Sequence, residues 1–176
     1  MALAKDYASV MGRSNEIQKK LAVEIIESKG QRKIGILGLS FKAGTDDLRN
    51  SPIVDVAQTL YGKGYDVRIY DRNVRLSQLT GTNADFIHAK LPHLHQVISD
   101  DLDAVCSASD VLVITNKEKE FADLPARYPD KCIVDLVRQF KELDYAGNYE
   151  GISWANINRN PAQSKPIERN MLRTEY

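Results

Sequence analysis

The chain has 176 residues, 43% of them apolar and 27% charged, long enough to bury a core in one domain plus an appendage and too apolar for a disordered tail. Its 24 lysines and arginines balance 24 aspartates and glutamates, which argues against a nucleic-acid or anionic-membrane binder while leaving room for a small local anion site. Its two cysteines, Cys106 and Cys132, sit outside any CxxC or Cys/His cluster; with no basic-then-apolar leader and no apolar run near the roughly 20 residues that span a bilayer, the expected setting is the reducing cytoplasm.

From Ala2 to Lys29, apolar residues such as Leu3, Tyr7, Val10, Ile17, Leu21 and Ile25 recur near helical spacing. Gly12 and Ser14 mark a break and Gly30 a stop, so the pattern predicts one long helix or two collinear ones. Lys33 to Leu37 reads as a short apolar strand ending in the loop that begins at Gly38. Ser51-Pro52 combines an N-cap with a proline at the first helical position, and it opens a helix whose buried face is Ile53, Val54, Val56, Ala57 and Leu60. Gly62 and Gly64 close that helix. Asp66 to Tyr70 alternates polar and apolar residues and ends at Asp71, completing a β-α-β unit.

Further on, Asp100 or Asp101 caps a short helix through Cys106, and Val111 to Thr115 forms a strand. Lys117 to Ala126 is expected to be helical, with the Lys/Glu run 117–120 as its solvated face, and Cys132 to Leu136 is another strand. After Trp154 the chain turns polar and Asn/Arg-rich, which predicts a tail over 155–176, ordered by a partner if at all. Strands alternating with helices predict an α/β fold, a Rossmann-like doubly wound, mostly parallel sheet preceded by a long helix.

In such a sheet ligands bind beyond the carboxyl ends of the strands, which directs attention to the loop 38–51. Set against the dinucleotide fingerprint GxGxxG it reads Gly38-x-Ser40-x-x-Ala43, with serine where the second glycine lets a pyrophosphate touch backbone. Asp71 stands where a ribose-binding acid would stand, and also where a turn residue commonly ends a strand. Lys42 inside the loop and Arg49 just before the Ser51-Pro52 helix could together neutralise a diphosphate at the helix amino end. Equally, Lys42 is solvated and Arg49 pairs with Asp46 or Asp47 as a surface cluster.

The string Gly38-Leu-Ser-Phe-Lys-Ala-Gly-Thr-Asp-Asp-Leu-Arg-Asn-Ser-Pro52 resembles the signature G-L-x-F-K-x-x-T-D-D-x-R-x-S-P of the C-terminal domain of the UDP-glucose/GDP-mannose dehydrogenase family. Similar stretches around it run from about residue 3 to 154, and they favour a GDP-mannose-oxidising member over a UDP-glucose-oxidising one. The resemblance implies an enzyme that oxidises a sugar C6 alcohol to a carboxylate by two NAD-dependent hydride transfers through a catalytic cysteine. It also implies that the chain contains neither that cysteine nor the NAD-gripping domain. The expected division is the end of a central dimerisation helix over 1–30, a nucleotide-sugar-binding domain over 31–154, and the tail 155–176. The chain alone is then inactive, and a homodimer is expected.

Position by position, Phe41 and Lys42 match the family's substrate contacts, with Lys42 on the nucleotide-sugar phosphates, and Arg49 matches an arginine reaching NAD. Thr45, Asp46 and Asp47 match the signature as residues that orient Lys42 and Arg49, or as loop formers. Many relatives carry Asp-Gly-Arg after the last strand. Here Asp135-Leu-Val-Arg138 puts Val137 at that arginine's position and makes Arg138 a one-residue-shifted candidate for the nucleotide. A stand-alone nucleotide or NAD-binding module, using Gly38, Ser40 and Asp71, and a purely structural dimerisation fragment are the competing readings.

His88, His93 and His95 surround Pro92 without a Cys or carboxylate at ligand spacing, so no metal site is expected. Cys106 and Cys132 are expected to be buried packing residues. Tyr61, Tyr65 and Tyr70 are expected to pack around the second strand with their polar tips outward.

Overall fold

The computed structural model describes residues 2–40, 48, 51–74, 92, 97–140 and 148–151, with side chains described from residue 15 onward. Helix α1 runs Ala2–Ser28 without a break, so Gly12 and Ser14 do not divide it. Strand β1 (Lys33–Leu37), helix α2 (Pro52–Gly62) and strand β2 (Asp66–Tyr70) form the expected β-α-β unit. There follow β3 (Ile98–Ser99), α3 (Leu102–Ala108), β4 (Val111–Ile114), a 3₁₀ turn (Lys119–Phe121), α4 (Leu124–Arg127), β5 (Cys132–Asp135) and β6 (Tyr149–Gly151). The six strands form one sheet in the order β3-β2-β1-β4-β5-β6, and every pairing in it is parallel. This is the doubly wound arrangement that the alternation of strands and helices predicted.

Successive side chains of a strand point to opposite faces, and the sequence supplies apolar residues to both. On one face Ile34, Ile36, Val67, Ile69, Val111 and Val134 meet Ala22 and Ile26 of α1 and Val54, Ala57 and Leu60 of α2. On the other face Leu37, Tyr70, Leu112, Ile114 and Ile133 meet Val105 and Cys106 of α3, Phe121 and Leu124. Each fully buried isoleucine or leucine here contributes about 2 kcal/mol of transfer free energy. Gly35 on β1 is required by this packing, since a Cβ there would lie 2.7 Å from Ser109 Oγ.

Among the described residues, three polar contacts hold α1 and the residue just past it to the domain besides its apolar stripe. Lys19 Nζ donates to Asp55 at 2.8 Å, Lys63 Nζ to Glu27 at 2.7 Å, and Lys29 to Glu150 of the far edge strand. Among the described residues no helix is long and apolar enough to cross a membrane.

Several expectations need correction. The segment 117–126 is a 3₁₀ turn followed by a one-turn helix, because Pro125 has no amide hydrogen and starts a new helix near its own position. Glu118 and Glu120 therefore do not lie on a solvated helix face: both are half-buried and face Arg72, at 3.9 and 3.7 Å. Tyr70 keeps its hydroxyl inside, donating to Glu120 at 3.0 Å, and burial with that carboxylate pushes the phenol well above its usual range. Strands β3 and β6, of two and three residues, are too short for periodicity to reveal.

Candidate functional site at the sheet's carboxyl edge

Strand order reverses between β1 and β4, and in open α/β sheets ligands occupy the crevice outside the carboxyl ends at that reversal. Here the crevice floor is built from buried polar groups. Gly38 has φ +102°, and a Cβ on it would lie 2.8 Å from Asn116 Cβ and 2.9 Å from Thr115 Oγ1. The glycine is thus demanded by conformation and by the close approach of the β4 end. The Thr115 hydroxyl is shared between the carbonyls of Leu37, at 2.7 Å, and Gly38. Asn116 Nδ2 reaches the Ser40 hydroxyl at 3.1 Å and its carbonyl at 3.3 Å.

Ser51 is the N-cap of α2 with Pro52 behind it, as the sequence indicates, yet its hydroxyl does not cap the helix. It donates instead to the Leu39 carbonyl at 2.8 Å, closing the two ends of the loop onto each other. Leu48 is fully buried in the core below, a third anchor for the same connection. Phe41, Lys42, Arg49 and Thr45 to Asp47 lie outside the described residues, as do His88, His93 and His95.

Asp71 resolves its two sequence readings. Its Oδ2 accepts the amides of Leu39 at 2.7 Å and Ser40 at 2.8 Å, and its Oδ1 accepts those of Asn73 at 3.0 Å and Val74 at 3.2 Å. The carboxylate is 4% exposed. Four backbone donors occupy an acid that would otherwise receive ribose hydroxyls, so Asp71 is the clamp of the β1 loop and of its own turn.

At the end of β5 a second buried carboxylate does the same for the next connection. Asp135 accepts the amides of Val137 at 3.0 Å, Gln139 at 2.8 Å and Phe140 at 3.4 Å, together with the Tyr149 hydroxyl at 2.8 Å. The turn it winds carries Arg138, exposed and with φ +55°. Gln139 Nε2 ties the same turn to the Glu118 carbonyl at 2.8 Å. Sequence reasoning singled out Arg138, named Asp135 without giving it a role and missed Asn116, although both stand at or just past the carboxyl end of a core strand.

A cavity of about 200 Å³ lies in this crevice, lined by Gln18 and Lys19 of α1, Ser51 and Pro52 of α2, Asn116 and Val137. A larger groove of about 670 Å³ opens beside Tyr70 and the start of α3, where Asp100, Asp101, Asp103 and Asp123 outnumber Lys119 and Arg127. Its acidic rim repels phosphates, so the smaller crevice is the better anion site despite its volume. The cysteines offer no nucleophile. Cys106 and Cys132 are buried; burial and Asp103 push the Cys106 thiol up to about 12, and burial raises Cys132 as well. Among the described residues no group of His, Cys, Asp and Glu is arranged to hold a metal ion.

Fold and crevice together define a doubly wound α/β domain whose β1 loop is braced at its start by the buried carboxylate of Asp71, just after β2. A sequence profile described as the UDP-glucose/GDP-mannose dehydrogenase family, UDP binding domain, matches residues 35–142, and the chain belongs to that family. It is 48% identical over 143 residues to the GDP-mannose 6-dehydrogenase of Pseudomonas aeruginosa, covering 81% of this chain and 33% of that protein, in its C-terminal region. It is 33% identical over 118 residues to the UDP-glucose 6-dehydrogenase of Rickettsia bellii, covering 64% of this chain and 25% of that one. The crystal structure of a ternary complex of GDP-mannose dehydrogenase from Pseudomonas aeruginosa superposes with a TM-score of 0.72 over 81% of this chain and 33% of that chain. The chain spans between a quarter and a third of the length of these relatives.

Proposed function

We propose that the chain is the nucleotide-sugar-binding domain of an NAD-dependent GDP-mannose 6-dehydrogenase, oxidising GDP-mannose to GDP-mannuronate as part of a larger enzyme and inactive alone. The observation that carries the choice of nucleotide sugar is the gap between 48% identity to the Pseudomonas GDP-mannose enzyme and 33% to the Rickettsia UDP-glucose enzyme. Lys42 then supplies the ammonium that neutralises the diphosphate, Phe41 contacts the substrate beside it, and Arg138 adds a guanidinium from the β5 turn. The amino end of α2 opens on the same crevice with no side chain capping it, and its amides favour an anion there.

NAD, when bound by the rest of the enzyme, supplies the hydride acceptor. The crevice of this chain does not fit it as a Rossmann dinucleotide site would, since Asp71 has no acceptor left for ribose. Arg49 is the residue we assign to reach NAD from this side, without catalytic residues or a metal on this chain. Ile17 and Leu21 on α1 are 66% and 36% exposed, apolar surface suited to a helix partner, which supports the homodimer and the division into a dimerisation helix over 1–30, a binding domain over 31–154 and a tail.

Calorimetric titration of the chain with GDP-mannose, UDP-glucose and NAD tests this. GDP-mannose is expected to bind saturably, UDP-glucose more weakly and NAD not at all, and Lys42→Ala should weaken GDP-mannose about tenfold or more by removing a charge-assisted contact. Preferential binding of NAD, or absence of nucleotide-sugar binding, overturns the reading.

A further inference from the structure

Besides Gln18 and Lys19 of α1, the polar side chains lining the crevice cavity are Ser40, Ser51, Thr115 and Asn116, each under a tenth exposed. Three of them spend their hydrogens on the loop after β1. Thr115 Oγ1 donates to the carbonyls of Leu37 and Gly38, Ser51 Oγ to that of Leu39, and Asn116 Nδ2 to the carbonyl and hydroxyl of Ser40. These groups have no hydrogen left for a phosphate, and what they offer the cavity is oxygen.

Asn116 shows this most clearly, because its amide has two ends and one of them is used. The nitrogen must be the end that faces Ser40, since the carbonyl there can only accept. That orientation turns Oδ1 the other way, and among the described residues nothing donates to it. Nor is the oxygen sealed in the core: among the described residues the fully enclosed side-chain atom without a partner is Glu120 Oε1. Asn116 keeps 8% of its surface exposed and lines the cavity. The missing Cβ of Gly38, which would lie 2.9 Å from Nδ2, leaves the amide room where it stands. The result is a preorganised acceptor open to the crevice, and it calls for a donor.

A diphosphate carries acceptors alone, so Oδ1 repels it. On a nucleotide sugar the donors on either side of the diphosphate are the hydroxyls of the two sugars. We infer that Asn116 Oδ1 accepts a hydrogen bond from a sugar hydroxyl of the bound nucleotide sugar, with the diphosphate toward the amino end of α2. The inference rests on the nucleotide-sugar reading above and adds to it the group that tells a sugar-bearing ligand from a bare phosphate.

The test is calorimetric titration of the whole chain with GDP-mannose and with deoxy analogues, each lacking one hydroxyl of the ribose or of the mannose. Asn116→Ala should weaken GDP-mannose about threefold to tenfold, the worth of one neutral hydrogen bond. One analogue should lose the same factor against the wild-type chain and nothing further against Asn116→Ala, and the sugar it comes from identifies the hydroxyl. Loss of the bonds to Ser40 does not imitate this pattern, because both ligands meet the same variant. Should Asn116→Ala not fold, the side-chain carbonyl carbon resonance of Asn116 in the wild-type chain serves instead. It should move on saturation with GDP-mannose and move less with that analogue; a resonance that stays in place overturns the inference. Unchanged affinity in Asn116→Ala, with binding still weakened in Lys42→Ala, also overturns it and leaves the nucleotide-sugar reading standing, as does an equal loss from every analogue in wild type and variant. Absence of GDP-mannose binding by the wild-type chain overturns the reading and the inference together.

Discussion

Asp71 follows β2 directly and Asp135 ends β5; they are 4% and 0% exposed, and each gathers four hydrogen-bond donors. Their donors come from different places. Asp71 takes all four from backbone amides, two of them from the loop after β1, more than thirty residues earlier in the chain. Asp135 takes three amides from its own turn and a hydroxyl from β6. The first acid therefore joins two connections across the sheet, while the second shapes one connection and secures an edge strand. A carboxylate at the end of a parallel strand is thus a device for holding neighbouring loops in register. Which loop it controls is decided by where its donors come from, and the position of the acid in the strand does not reveal that.

The contrast can be broken at graded cost. Asp71→Ala should have the largest effect, on the order of 3–5 kcal/mol of stability, because it leaves four amides, those of Leu39, Ser40 and Val74 buried and that of Asn73 partly so, without an acceptor in two separate loops; chemical denaturation measures it, and a loss under 1 kcal/mol would deny the clamp. Gly38→Ala probes the loop that Asp71 holds: with a Cβ 2.8 Å from Asn116 and a left-handed backbone, it should cost about 2–3 kcal/mol. Neutrality in the same assay would mean the β4 end yields easily. At the other acid, Tyr149→Phe removes one of the donors to Asp135 and keeps the ring packed against Phe140, so about 1 kcal/mol is expected. Hydrogen exchange should place that loss at β6 and the 136–140 turn and spare the β1 loop, and uniform loss of protection would erase the distinction between the two acids.

Local pattern and capping made much of the fold legible in advance. The β-α-β unit, the Ser51-Pro52 helix start and the core strands at Val111 and Cys132 all follow from short-range rules. What escaped is set by contacts distant in sequence. Strands β3 and β6 exist because neighbours offer them pairing groups, and Tyr70 turns inward because Glu120, fifty residues on, accepts its hydroxyl. The same limit applies at the site. Asp71 could be singled out from its place after β2, but its role depends on amides contributed by Leu39 and Ser40. Asp135 was legible only as the first residue of the Asp135-Leu-Val-Arg138 stretch and received no role, because what an acid at a strand end does is not known until its donors are. Phe41, Lys42 and Arg49 came from the family signature, since loop chemistry alone left Lys42 and Arg49 undivided between ligand and solvent.

The strand order has a consequence for how the chain reaches this structure. Ile34 of β1 pairs with Val67, 33 residues on, and with Val111, 77 residues on. The β1-α2-β2 half can close early over a short span, whereas the other edge of β1 must await β4. During that interval a central strand with Ile34 and Ile36 presents unpaired amides and apolar side chains, a template for another chain in the same state. Refolding yield should accordingly fall with protein concentration while the finished domain, its central strands paired on both sides, stays dispersed.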